Sequence, residues 1–258
     1  HAPAFLKITN EDFPRVDLVA RIDDDGAEYF GPFRSKRMAE RIRDMVVREH
    51  NLRTCEGELF PDADVRPCFD YHIKRCFGPC ALHQTIDDYR DSVERARRFL
   101  LNVESGAIAR MAAQMDDAAE ELDFERAAML RDGIRAIERA TIHATDRPLA
   151  VTDTNVVIIV PTSDRYATVE VYAVRAGRLA MQRVVGTSAP RTQLHADLEE
   201  VFTREAPKGA FSDRELDELQ IITSWLYRRR EHATTLVVRD VAMLRAEVDE
   251  VMNTYRKR

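Results

Sequence analysis

All four cysteines of this 258-residue chain fall in one stretch, at positions 55, 68, 76 and 80. From Leu52 to Cys80 no apolar period can be traced, Pro61, Pro67, Gly78 and Pro79 interrupt the chain, and little apolar side-chain surface is available to hold the segment folded. Something other than a hydrophobic core must organise it. Four converging thiolates satisfy one tetrahedral zinc or one iron–sulfur cube, so a metal centre is the preferred reading over unrelated free thiols or disulfides. The first residues, HAPAFLKITN, lack the basic start, apolar centre and cleavage site of a secretory signal, so a cytoplasmic location is expected, where disulfides are disfavoured. The C-x12-C-x7-C-x3-C spacing departs from the two close pairs usual in structural zinc sites and leans slightly towards iron–sulfur, with zinc left open.

The length suits two or three compact units, and the pattern on either side of the cysteines predicts an α+β multidomain chain. Residues 3–9 and 16–22 are rich in β-formers and predict a small β-hairpin, followed by turn chemistry at Asp23-Asp24-Asp25-Gly26. That acidic run lacks the downstream Glu of a calcium loop. Ser35 can cap a helix with Met38, Ile42, Val46 and Val47 on one stripe, ending near His50-Asn51 and facing the hairpin. After the cysteine-rich loop (52–84), a helix capped at Thr85 or Asp87 is expected to run to Ser105-Gly106. Two helical stripes, Met111 to Leu122 and Ala127 to Ile137, meet at Asp123 and predict an antiparallel helical hairpin. Pro148 marks a boundary, beyond which strands at 156–160, 166–174 and 179–185, helices near 191–205 and 213–231, a strand at 234–239 and a helix at 242–256 predict an α/β unit. The expected organisation is 1–51, 52–84, 85–144 and 150–258.

A net charge of -6 argues against indiscriminate nucleic-acid binding, so any DNA contact must be local. Basic residues gather from Arg34 to Arg43, read as a solvated helix face, and around Arg66, His72, Lys74 and Arg75. No apolar run is long enough for a membrane helix. No catalytic residue is assigned: the pairs Asp87-Asp88, Asp116-Asp117 and Glu199-Glu200 read as polar helix surface, and no phosphate loop, zincin or nucleophile-elbow motif occurs. Trp225 and Tyr227 read as core aromatics at the end of an amphipathic helix rather than as base-stacking residues.

RPCFDYHIKRCFGPC (66–80), with Leu52-Arg53-Thr54-Cys55 upstream, resembles the cysteine-rich region of the UvrC family of excision-repair nuclease subunits. NEDFPRV (10–16) and EYFGPF (28–33) resemble the family's segments after its nuclease domain, and AAEELDFERAAMLRDGIRAIE (118–138) resembles the UVR motif, through which UvrC and UvrB pair. The likeness is dense from about residue 5 to 143 and weaker beyond. It implies a [4Fe–4S] cluster on Cys55, Cys68, Cys76 and Cys80, with zinc as the alternative, and UvrB as the partner of the hairpin. Phe124, beside Ala127 and Ala128 with Arg131 and Asp132 at the rim, is the expected anchor. Self-association in the absence of UvrB, and weak contact of Arg66, Lys74 and Arg75 with damaged double-stranded DNA, are further expectations; no membrane partner is expected.

The family's GIY-YIG nuclease, RNase H-like nuclease and helix-hairpin-helix clamp have no counterpart recognised in these residues. The resemblance therefore implies a non-catalytic central part of an excision-repair subunit. The alternatives are a fragment of an intact endonuclease whose nuclease domains lie outside this chain, and a cluster-based redox regulator.

Overall fold

The computed structural model describes residues 3–33, 35–101, 107–141, 150–162, 168–229 and 233–256, without the side chains of 107–110, 136–141 and 224–229. The chain divides into two compact units between Ala150 and Val151.

The first unit opens on a three-stranded antiparallel sheet, β1 (Ala4–Ile8), β2 (Val16–Val19) and β3 (Glu28–Phe33), in the order β2-β1-β3. The first two strands form the expected hairpin, with Leu6 opposite Leu18. The third strand, EYFGPF, has no counterpart among the strands expected from the sequence, and it contains Gly31 and Pro32, residues that locally disfavour a strand. Pairing with β1, which sets Phe30 opposite Leu6, overrides that local signal. Helix α1 (Lys36–Glu49) begins as predicted: the Ser35 Oγ accepts from the Met38 N–H at 3.2 Å. Its buried residues Ala39, Ile42, Met45 and Val46 join Leu6, Ile8 and Phe30 in one core.

A single turn of helix, α2 (Phe69–His72), and a 3-10 turn at Pro79–Ala81 punctuate the cysteine-rich loop. Helix α3 (Ile86–Leu100) is capped by Thr85, whose hydroxyl accepts from the Asp88 N–H at 3.1 Å, and it buries Tyr89, Ser92 and Ala96. It closes at Leu100 with Leu101 as its C-cap, earlier than the expected stop at Ser105-Gly106, which lies outside the described residues. The helical hairpin follows as α4 (Ala107–Glu120) and α5 (Phe124–Thr141). Asp123 caps α5 by accepting from the Arg126 N–H at 3.0 Å. The hairpin does not stand alone: Met111 and Leu130 belong to the same core as α1, and a side chain at buried Gly133 would collide with Met45.

The second unit is a four-stranded antiparallel sheet, β4 (Val156–Pro161), β5 (Thr168–Arg175), β6 (Arg178–Gly186) and β7 (Thr234–Val237), in the order β6-β5-β4-β7. With it go α6 (Thr192–Thr203), α7 (Asp213–Arg229) and α8 (Val241–Arg256). Val157, Ile159 and Val171 face Leu194 and Leu198 of α6 and Val248 and Met252 of α8. Val156, Ile158 and Val160 occupy a second cluster, to which α7 contributes Ile222. Coverage on both faces is why β4 reads as an unbroken apolar run rather than an alternation. Ala176 and Gly177 make the predicted β5–β6 turn at φ +48 and +76; at Gly177 a Cβ would meet the Val151 carbonyl oxygen at 2.5 Å. Ser212 and Glu215 form the predicted capping box at α7. The side chains of Trp225 and Tyr227, like all of Arg34, lie outside the description. Among the described residues no helix is long and apolar enough to cross a membrane.

His50, the C-cap of α1, stacks obliquely near Phe99 of α3 with ring centroids 6.0 Å apart. Burial, and then the Arg95 charge, hold its pKa down from the ordinary 6.5 to about 4. A depressed histidine contributes its stability above the unfolded value and loses it as pH falls towards the folded one. Urea unfolding should therefore show roughly 2 kcal/mol of stability lost between about pH 7.5 and pH 4, and His50→Asn should flatten that slope. An unchanged slope in the variant would exclude His50 as its source.

Candidate functional site

The cysteine-rich loop leaves α1 through Leu52 and Arg53, both 1% exposed. The Arg53 guanidinium donates from Nε to the Phe13 carbonyl at 2.7 Å, from Nη2 to Glu11 at 2.6 Å, and from Nη1 to the Cys55 carbonyl at 2.8 Å and the Cys55 sulfur at 3.5 Å. Its backbone N–H donates to the Tyr89 hydroxyl at 3.1 Å, and that hydroxyl donates to the Pro14 carbonyl at 2.7 Å. Burial drives the Tyr89 pKa upward, which keeps the phenol protonated as a donor. The β1–β2 connection, the start of the cysteine loop and α3 are thus tied at one point.

Further ties hold the loop. Asp70 accepts at its carbonyl from the N–H groups of Arg75 and Cys76, and at its carboxylate from Thr54 at 2.7 Å. The Asp62 N–H donates to the Cys80 carbonyl at 2.9 Å, and Asn51 reaches the Lys74 carbonyl at 2.9 Å. Tyr71 and His83 stack at 4.8 Å, and Gly78, at φ +69, lies so close to Tyr71 that a Cβ there would overlap the ring. The sequence C-F-G-P-C needs its glycine for that left-handed turn.

Cys55 and Cys68 are exposed, Cys80 is half-buried and Cys76 is buried. Burial pushes the Cys76 thiol up, opposed by the Gly78 N–H and reinforced by the other three cysteines. Burial likewise raises Cys80, reinforced by Cys55 and Cys68, while its own N–H and that of Ala81 pull the other way. Cys76 and Cys80 are thus each under the electrostatic influence of Cys55 and Cys68. Among the described residues, however, no group of three or more His, Cys, Asp or Glu side chains stands as a formed metal site. Arg66, Lys74 and Arg75 are exposed on the same loop.

At the other candidate site, Leu122 and Phe124 are 71% and 66% exposed at the hairpin turn, where Leu122 adopts φ +61. Ala127 and Ala128 are half-buried, and Arg131 pairs with Asp132 at 3.2 Å. Phe124 therefore caps no core of its own unit. Sequence reasoning passed over Arg53, Glu11 and Tyr89 as supports; the signal available was the Arg directly before Thr54-Cys55, but its partners Tyr89, Phe13 and Glu11 lie 36 and more residues away.

Removing a buried guanidinium strands Glu11 and three polar partners. Arg53→Ala should cost roughly 3 kcal/mol in denaturant unfolding and should raise the reactivity of Cys76 towards thiol reagents. Tyr89→Phe, which removes one hydroxyl bridge, should cost about 1 kcal/mol. Equal effects of the two variants would contradict the central place given to Arg53.

Residues 4–99 match the family model described as UvrC/Cho excinuclease, middle domain, and residues 106–140 match that of the UvrB/uvrC motif. A UvrABC system protein C of Acetivibrio thermocellus is 30% identical over 243 residues, covering 91% of this chain and 39% of the relative. Its counterpart in Thermoanaerobacter sp. is 31% identical over 245 residues with the same coverage. That of Gemmatimonas aurantiaca is 41% identical over 136 residues, 52% of this chain and 22% of the relative. No solved structure matches the chain. The chain spans about two fifths of the length of the first two relatives. With the middle-domain and UVR matches joined by relatives of one name along most of its length, the chain belongs to the UvrC family and carries that family's middle region and UVR motif.

Proposed function

We propose that this chain is the non-catalytic central part of a nucleotide excision repair subunit, which carries a [4Fe–4S] cluster on Cys55, Cys68, Cys76 and Cys80 and docks UvrB through the α4–α5 hairpin. The observation that carries the docking reading is the division of the hairpin into two faces. Its inner seam is spent on α1, while Leu122 and Phe124 project at the turn. A large exposed aromatic flanked by small alanines suits a central anchor, with Arg131 and Asp132 supplying polar contacts at the rim.

The donor set fits the cluster. Four cysteines are present, nearby backbone N–H groups favour the thiolate forms of Cys76 and Cys80, and Arg53 directs a cation at Cys55. When bound, the cluster supplies the positive charge that lets neighbouring thiols ionise together and cross-links the loop. The protein's own part is to place the ligands: Arg53 sets Cys55, the α2 turn sets Cys68, and Asp70 and Gly78 fix the approach of Cys76 and Cys80. Arg66, Lys74 and Arg75 on the same loop are suited to phosphate contacts on damaged duplex DNA, independent of sequence.

Protein purified without oxygen should be brown and hold about four irons, and replacing any of the four cysteines should abolish the visible absorption. Colourless protein with stoichiometric zinc would overturn the iron assignment. In calorimetric titration with a C-terminal UvrB peptide, Phe124→Ala should weaken binding by roughly 2 kcal/mol with helical content unchanged. Unaltered affinity in the variant, or no binding by the wild type, would remove the hairpin as the docking site.

A further inference from the structure

The second unit contains a cleft of about 610 Å³ where the segment leading into α6 and its first turn meet α8 between Arg245 and Arg256. Three arginines, Arg191, Arg245 and Arg256, line it together with His195 and Thr187, against one carboxylate, Asp249. Arg191 is the N-cap of α6 and no side chain caps the helix, so its first-turn N–H groups and the positive end of a 12-residue helix face this region.

The charged groups are arranged so that the cleft stays cationic. Asp249 accepts from Arg191 at 2.9 Å and stands 3.1 Å from His195 Nε2, so its charge is already matched. Arg191 is further clamped by Asn253 at 2.8 Å and serves as a fixed charge. Arg256 is exposed, and among the described residues Arg245 is engaged by Glu199 in a pair exposed on both sides, which holds it weakly.

Two polar atoms point independently to a missing ligand. Thr187 is 2% exposed and its Oγ1 has no hydrogen-bond partner among the described residues; His195 Nδ1 is likewise enclosed and has none among them. Both belong to residues lining the cleft. A buried hydroxyl left without a partner is costly, and an oxyanion at the helix start satisfies it. We propose that this cleft binds a phosphate group, held by the first-turn N–H groups of α6, the Thr187 hydroxyl and His195, with Arg245 and Arg256 closing over it. A nucleic-acid phosphodiester and a free phosphate share this chemistry.

The test is an NMR titration of the full chain, following the His195 ring and the backbone N–H signals of Thr192 and Gln193. Inorganic phosphate should shift all three, and the double variant Arg245→Glu/Arg256→Glu should weaken its affinity about tenfold or more. Thr187→Val, which removes the hydroxyl at nearly constant volume, should weaken it several-fold and serves if the charge reversals disturb folding. A short DNA duplex that shifts the same signals, and is displaced by phosphate, makes a nucleic-acid backbone the source. A duplex without effect, with phosphate still bound, makes the source a small anion. Signals unmoved by both probes, or phosphate affinity equal in wild type and variants, would overturn the site.

Discussion

The first unit depends on the burial of one cation. Arg53 is 1% exposed, and removing a guanidinium from water is costly unless its donors are matched. Here Glu11, the Phe13 carbonyl and Cys55 take them up, and the Tyr89 hydroxyl takes the backbone N–H. Glu11 and Phe13 come from the β1–β2 connection, Tyr89 from α3 and Cys55 from the cysteine loop, so the network forms only when these three parts of the unit are in place together. A buried apolar residue of the same size would pack as well but would leave Cys55 undirected. That gives the charge a positioning role beyond stability.

The same unit separates two tasks that share one core. The cysteine loop is tied down by backbone hydrogen bonds to Asp70 and by the Tyr71–His83 stack, whereas the helical hairpin is held by apolar packing of Met111 and Leu130 against α1. Polar ties fix direction, which metal ligands require; an apolar seam fixes a platform and leaves its turn exposed. Leu122 in a left-handed conformation, followed by Asp123 as a cap, produces a turn too tight to bury Phe124.

Much of this was legible in the sequence where the signal is local. Caps at Ser35, Thr85, Asp123 and Ser212 fall where side-chain oxygens meet helix starts, because the capping chemistry needs only neighbours. The β5–β6 turn and the doubly buried β4 follow from Gly177 and an apolar run. What could not be read is what long-range pairing decides. EYFGPF becomes a strand because β1 offers an edge, α2 is too short to show a period, and Glu11, Phe13 and Tyr89 are remote from Arg53 in sequence. The cationic cleft of the second unit is likewise assembled from residues 187 to 256, with no motif to announce it.

Native-state hydrogen exchange on metal-free protein tests the role of Arg53 most directly, since the Arg53 N–H is itself part of the network through Tyr89. If the arginine locks the loop to the sheet, this N–H exchanges as slowly as the core amides of β1 and α3 and speeds up together with them when Glu11 is replaced by Gln. An Arg53 N–H that exchanges at the rate of an exposed loop amide, while β1 stays protected, would contradict the account.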